Sequence, residues 1–135
     1  MTELILHLTG DYLIQSDWMA QNKTKSTWAA FCHATVYSLP FLFIGSLWAC
    51  LVIWITHLLI DRFRLARYVV WAKNVFFDAA FWQNHNQHIR EHVFPKYATP
   101  TGYPADAPPW MAVWLLIAAD NTLHLAINHL SLLWL

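Results

Sequence analysis

Three His/Asp pairs at one spacing constrain this chain more than any other feature of its sequence. His57 and Asp61 stand four residues apart in the apolar stretch Thr56-His57-Leu58-Leu59-Ile60-Asp61. His7 and Asp11 repeat that spacing near the N-terminus, and Asp120 and His124 repeat it in reverse order near the C-terminus. Side chains at i and i+4 share one helix face, one turn apart, so each pair reads as helical. An ionised carboxylate at membrane depth costs roughly 2.5 to 3.5 kcal/mol unless it finds a partner. Three of them demand cations, and no Lys or Arg stands in the middle of any span expected here.

The spans themselves follow from composition. With 58% hydrophobic residues, nine Trp, eight Phe and 12% charged residues, the 135-residue chain reads as one small integral-membrane domain over 1–135. A net charge of zero leaves no basic balance for nucleic acid. The expected fold is all-α, a polytopic membrane bundle of about four transmembrane helices near 3–20, 27–44, 47–64 and 110–133. An interfacial amphipathic segment and a Pro-rich loop fill 66–109. Ser26 or Thr27 suits an N-cap, Pro40 predicts a kink, and the proline before Trp110 suits a first helical turn. The N-terminus lacks the basic n-region and cleavage site of a signal peptide, so the first helix is expected to be retained. Cys32 and Cys50 have no ribbon or redox spacing and read as free, buried thiols.

Lys23 and Lys25 follow helix one, and Arg62, Arg64 and Arg67 follow helix three. An even number of crossings puts both groups on one side, cytoplasmic by the positive-inside rule, with both termini outside. At 1.5 Å per residue His33, His57, Asp11 and Asp120 come closest to a common depth. The full candidate ligand set is His7, Asp11, His33, His57, Asp61, Asp120 and His124, four imidazoles and three carboxylates. Imidazole with carboxylate suits zinc, and also iron or manganese. Seven ligands exceed the need of one tetrahedral ion and fit one or two. A lone His in an apolar helix is ordinarily a hydrogen-bonded packing residue, and one His/Asp pair can be a local hydrogen bond. Three pairs with His33 weigh towards metal. His85, His88 and His92 beside Glu91 read as a solvated helix face, and His129 as packing.

The segments His-Leu-Thr-Gly-Asp-Tyr-Leu-Ile-Gln-Ser-Asp at 7–17, Cys-His-Ala-Thr-Val-Tyr at 32–37, Thr-His-Leu-Leu-Ile-Asp-Arg at 56–62 and Ala-Asp-Asn-Thr-Leu-His-Leu at 119–125 resemble a family of small bacterial and phage integral-membrane proteins with a domain of unknown function. The resemblance covers nearly the whole chain and implies an inner-membrane, multi-pass location in a bacterium or phage. More distantly, His and Asp on apolar helices resemble bacterial membrane-bound metal-dependent hydrolases, without reproducing their motif order.

The expected function is metal-dependent hydrolysis at an intramembrane His/Asp site. Membrane lipids are the expected partners and a lipid or lipid-linked phosphate the substrate, and oligomerisation is open. Asp11, Asp61 or Asp120 is the candidate general base. Two other classes stay open. A carrier or channel for protons or divalent ions would use the same groups and continue them towards both surfaces, and a non-catalytic phage-type membrane interaction protein would need only a structural metal.

Overall fold

The computed structural model describes residues 1–77 and 94–135, and all regular structure among them is helical. The helices are α1 (Thr2–Leu8), α2 (Asp17–Asn22), α3 (Thr27–Ser38), α4 (Leu47–Phe63), α5 (Ala66–Phe77), α6 (Phe94–Tyr97) and α7 (Pro109–Trp134). A π-type turn over Thr9–Leu13 continues α1, and a 3₁₀ segment over Leu39–Phe43 continues α3. The chain divides into two compact units, Met1–Leu65 with Asn121–Leu135, and Ala66–Asp120.

In the first unit, α3 and α4 form the frame. Their starts are set by serine caps: Ser26 Oγ accepts from the Ala29 amide at 3.4 Å, and Ser46 Oγ from the Ala49 amide at 3.1 Å. The buried positions recur at helical spacing, Ala29, Ala30, His33, Ala34, Tyr37 and Ser38 on α3 and Ala49, Cys50, Ile53, His57, Ile60 and Asp61 on α4. Alanines at the contact let the two backbones approach closely. Tyr37, Phe41 and Ile53, all fully buried, make the apolar core, with Leu6 and Leu132 against it. Pro40 lacks the amide that an α-helix needs, and α3 gives way at Leu39 to the tighter 3₁₀ turn. Arg64 ends α4 in a left-handed conformation with φ of 52°. Arg62 Nη1 donates to the Thr24 carbonyl at 3.0 Å and its Nε to Thr27 Oγ1 at 3.1 Å, which fixes the end of α4 beside the start of α3.

The stretch expected as one first helix is instead two helices. The π turn closes with the Ile14 amide on the Thr9 carbonyl at 3.0 Å, and Ser16 then starts α2 by accepting from the Met19 amide at 3.3 Å. Gly10 lies in the π turn where a Cβ would stand 2.5 Å from Tyr37 Cδ2, so only glycine lets this backbone pass the buried ring.

The four membrane crossings expected from composition are overturned by helix length. Crossing a core of about 30 Å takes roughly 20 residues. α1 has 7 residues before the π turn, α3 has 12 before Pro40 tightens it, and α4 has 17. Among the described residues only α7, with 26 residues, is long and apolar enough to cross a membrane. The count of crossings on which the external placement of both termini rested goes with them.

In the second unit, Asn74 Nδ2 donates to the Gly102 carbonyl at 2.8 Å, and Thr99 Oγ1 to the Tyr103 carbonyl at 2.6 Å, tying the Pro-rich stretch to α5. Gly102 has φ of +76°, and an added Cβ would meet the Arg67 carbonyl at 2.7 Å and the Trp71 amide at 2.8 Å, both backbone. Gly45 differs, since its Cβ would meet only the end of the Leu132 side chain as a close contact. Chemical denaturation should therefore find Gly102→Ala destabilised by about 2 kcal/mol or more and Gly45→Ala by well under half of that.

Candidate metal centre

Each ligand-type side chain is delivered by a different local device. The π turn carries Asp11, an internal turn of α3 carries His33, and consecutive turns of α4 carry His57 and Asp61. Asp11 Oδ1 and Asp61 Oδ2 each approach the facing Nε2 atoms of His33 and His57. His33 Nε2 lies 2.9 Å from His57 Nε2, 3.1 Å from Asp11 Oδ1 and 3.2 Å from Asp61 Oδ2. His57 Nε2 lies 3.2 Å from Asp61 Oδ2 and 3.5 Å from Asp11 Oδ1. Ligands of one tetrahedral ion with metal bonds of about 2.0 to 2.1 Å stand about 3.3 to 3.4 Å apart, so each carboxylate with the two imidazoles is spaced to suit a divalent ion, Asp11 and Asp61 falling in separate groups.

The orientation of the atoms points the same way. Asp61 Oδ2 pairs with the Lys23 ammonium at 3.0 Å, while the imidazole nitrogens close to it are not aligned to hydrogen-bond it. Two imidazole lone pairs 2.9 Å apart repel unless a proton or a cation lies between them. Against this, His33 Nδ1 and His57 Nδ1 are buried without a hydrogen-bond partner among the described residues. Metal-bound imidazoles ordinarily give that second nitrogen an acceptor. The donor set fits a divalent ion, and the support behind its imidazoles is thinner than usual.

A second group shares His57. His57, Asp61 and His124 present ligand atoms within 4.8 Å of one another, all three buried. Asp61 faces both groups, with Oδ1 at 3.7 Å from His124 Nε2 and Oδ2 in the first cluster. The Nε2 of His57 can serve one ion only, so if two ions were held they would be joined through the two oxygens of Asp61.

Charge is balanced by contact. Burial pushes the Asp61 carboxyl up, but His124, His33 and His57 outweigh it and hold it well below the usual carboxylate range. Asp11 follows the same pattern: burial raises it, and the bond to His33 with the charges of His57 and Lys23 brings it below normal. Burial drives His57 down to about 4, with Asp61 opposing only in part. His33 goes the other way, because contacts with Asp11 and Asp61 overcome its burial. Of the two facing imidazoles, His33 is the one whose cationic form its neighbours favour.

Around the cluster stands a shell of hydrogen bonds. His7 Nδ1 meets the Tyr37 hydroxyl at 2.8 Å and Asp11 Oδ2 at 3.4 Å, while its Nε2 meets Asn121 Oδ1 at 3.2 Å. Nδ1 of His7 thus stands between Tyr37 and Asp11, and Nε2 ties the ring to Asn121. Tyr37 stacks on His57 with centroids 3.7 Å apart, and its hydroxyl accepts from Asn128 Nδ2 at 2.6 Å. With its amide turned to satisfy both neighbours, Gln15 donates to the Asp11 carbonyl at 3.0 Å and accepts from the Ala20 amide at 3.1 Å. Removing the Tyr37 hydroxyl strands buried polar atoms of His7 and Asn128, so Tyr37→Phe should lose about 1 to 3 kcal/mol in a denaturant titration.

Of the seven residues singled out from sequence, the structure gathers Asp11, His33, His57, Asp61 and His124 into the two groups and sets His7 behind Asp11. Asp120 is half-buried in the second unit and belongs to neither group. His85, His88, Glu91 and His92 lie outside the described residues.

Three contributors were missed. Lys23, read as a marker of topology, brings Nζ to 3.0 Å from Asp61 Oδ2 and 3.3 Å from His33 Nε2. Its aliphatic stem reaches inward from the end of α2, which spacing along a span does not reveal. Tyr37 and Asn128 had a signal, since each follows a candidate ligand, His33 or His124, by four residues.

Comparison with curated proteins and with solved structures finds no match to this chain. The profile of a protein family described as "Protein of unknown function (DUF3307)" matches residues 1–94, which carry Asp11, His33, His57, Asp61 and Lys23. The chain belongs to that family.

Proposed function

We propose that this protein is a metal-dependent hydrolase, with His33, His57 and one of Asp11 and Asp61 holding a divalent ion, zinc foremost, the fourth position left to water, and His124 extending the site towards a second ion. The observation that carries the reading is the approach of Asp11 Oδ1 and Asp61 Oδ2 to the facing Nε2 atoms of His33 and His57, at 2.9 to 3.5 Å in a buried cluster. A bound zinc would lower the pKa of water and polarise a phosphoryl or acyl oxygen.

The chain's own residues supply the remaining tasks. Asp11 and Asp61 stay ionised in the buried site, so whichever is not spent on the ion can take a proton from water. His7 and Gln15 fix Asp11 from behind, and the Tyr37 ring holds the plane of His57. The side chains of the cluster are 0 to 7% exposed, which excludes bulk water except at Lys23, 18% exposed. Lipid-linked phosphates are the proposed substrates. α7 is long and apolar enough for a membrane, and Trp48 at 70% and Phe43 at 91% exposed offer apolar surface for lipid.

Elemental analysis of purified protein, followed by assay of the metal-loaded form on soluble phosphomonoesters and on phosphatidic acid, tests the reading. One or two equivalents of metal and turnover that vanishes in Asp61→Ala are expected. Metal-free, stably folded protein that gains no metal on incubation with zinc, manganese or iron would sink it.

One observation favours a second reading, a proton or ion carrier. Polar contacts run on from Asp11 through His7 and Tyr37 to the buried Asn128, and Glu3 meets His129 at 3.1 Å at the surface. Proton or manganese flux into liposomes carrying the protein, lost in Tyr37→Phe, would identify it.

A further inference from the structure

We propose that the Lys23 ammonium is the resident cation of the metal-free cluster, that a divalent ion displaces it to the exposed edge of the site, and that there it binds a tetrahedral oxyanion, the phosphoryl group of the substrate. The inference rests on the metal-centre reading above and assigns a role that reading does not need.

Position is the first argument. Lys23 Nζ lies 3.0 Å from Asp61 Oδ2 and 3.3 Å from His33 Nε2, against two of the candidate ligand atoms. A cation seated among those atoms and an ammonium touching the same atoms are like charges at close range in a buried site, where repulsion is least screened. One of them must leave. The ion carries twice the charge and meets carboxylate and imidazole donors together, whereas the ammonium, which also lies 3.3 Å from the Gln15 side-chain amide, can find new partners at the solvent edge.

Freedom to move is the second argument. Lys23 follows α2 as its C-cap, at the end of a six-residue helix. Its side chain is 18% exposed where Asp61 is 4% and His33 is fully buried, so the lysine marks the edge at which the cluster meets solvent. A four-carbon stem lets the charged head rotate outward without moving the backbone.

Charge then selects the ligand. Two carboxylates and one divalent ion sum to zero with both imidazoles neutral, and the displaced ammonium adds one positive charge at the mouth. A metal with an adjacent lysine is a site for an anion, and phosphoryl oxygens are the chemistry that both groups bind. The same group could come from free phosphate or from a lipid headgroup.

Calorimetric titration of full-length protein with zinc, then of the zinc-loaded protein with inorganic phosphate, tests the proposal, with Lys23→Met and Lys23→Arg beside the wild type. Lys23→Met should bind zinc at least threefold more tightly than wild type and phosphate at least tenfold more weakly, and Lys23→Arg should restore phosphate binding. Sedimentation with vesicles of phosphatidic acid or of phosphatidylcholine alone separates the sources. Zinc-dependent, Lys23-dependent binding to phosphatidic acid but not to inorganic phosphate supports a lipid headgroup, and the reverse supports a soluble phosphate. Unchanged zinc and phosphate affinities in a folded Lys23→Met protein overturn the inference while leaving the metal centre intact. Absence of zinc binding in all three proteins overturns the metal centre itself, and the inference with it.

Discussion

Zinc affinity is expected to fall at least about 100-fold when His57 is replaced by alanine, the largest single loss at this site. His57 is the one imidazole common to both ligand groups, Asp11/His33/His57 and His57/Asp61/His124. Removing it takes a nitrogen from the ion and also takes away the ring on which Tyr37 stacks at 3.7 Å. Substitution of a residue that only supports a ligand ordinarily costs 10- to 100-fold, so loss of a ligand shared by two groups should exceed that range. His7→Ala is the internal comparison. His7 touches Asp11 Oδ2 at 3.4 Å and leaves the converging Oδ1 in place, so it should cost roughly 10-fold. Zinc titration calorimetry, with circular dichroism to confirm folding, reads both values. Equal affinities for wild type and folded His57→Ala would remove His57 from the centre.

Metal-free protein should lose roughly 3 kcal/mol of stability between pH 6.5 and pH 4, through His57 alone. Its imidazole titrates near 6.5 when unfolded and near 4 in the fold, because burial disfavours the cation. Below pH 6.5 the unfolded chain therefore takes up a proton that the folded chain refuses, and stability drops with pH until the folded pKa is reached. His33 has the opposite sign. Its pKa is raised, so its contribution is fully present below the unfolded value of 6.5 and is lost only as pH rises through the folded one. It cannot compensate in the acid window. Asp11 and Asp61, both lowered, add their losses further down, from about pH 4. Thermal melts in chelator across pH 4 to 9 should trace a dome, and His57→Gln should flatten its acid side between 6.5 and 4. An acid side unchanged by that substitution would place the lost proton elsewhere.

Helical period carried most of what was legible in the sequence. The i, i+4 rule puts His57 beside Asp61, and the same period places the buried residues of α3 and α4. The serine cap that starts α3 was legible too, and Pro109 opens α7. What the sequence did not disclose was interruption. Pro40 announced a kink, but apolar content through residues 3–20 reads as one span, whereas a π turn at Gly10 and a cap at Ser16 break it, and composition averages over such local events. Nor did spacing along a helix reveal which carboxylate joins the imidazoles. Depth along straight spans favoured Asp120, whereas the fold brings Asp61, because Asp61 sits on the face of α4 that α3 covers. Lys23 was invisible for a related reason: the position of a Cα says little about where a long side chain ends.

The π turn at Thr9–Leu13 has a consequence for how this family can vary in length. Such a turn holds one residue more than an α-helix needs, and the surplus lies between Leu8 and Ile14. Each residue of an α-helix turns the chain by about 100°. Deleting a single residue there would restore regular winding and swing the helix before it by about that angle, carrying His7 off Tyr37. Related chains that keep the cluster should therefore tolerate insertions in their loops and yet preserve the residue count of this turn.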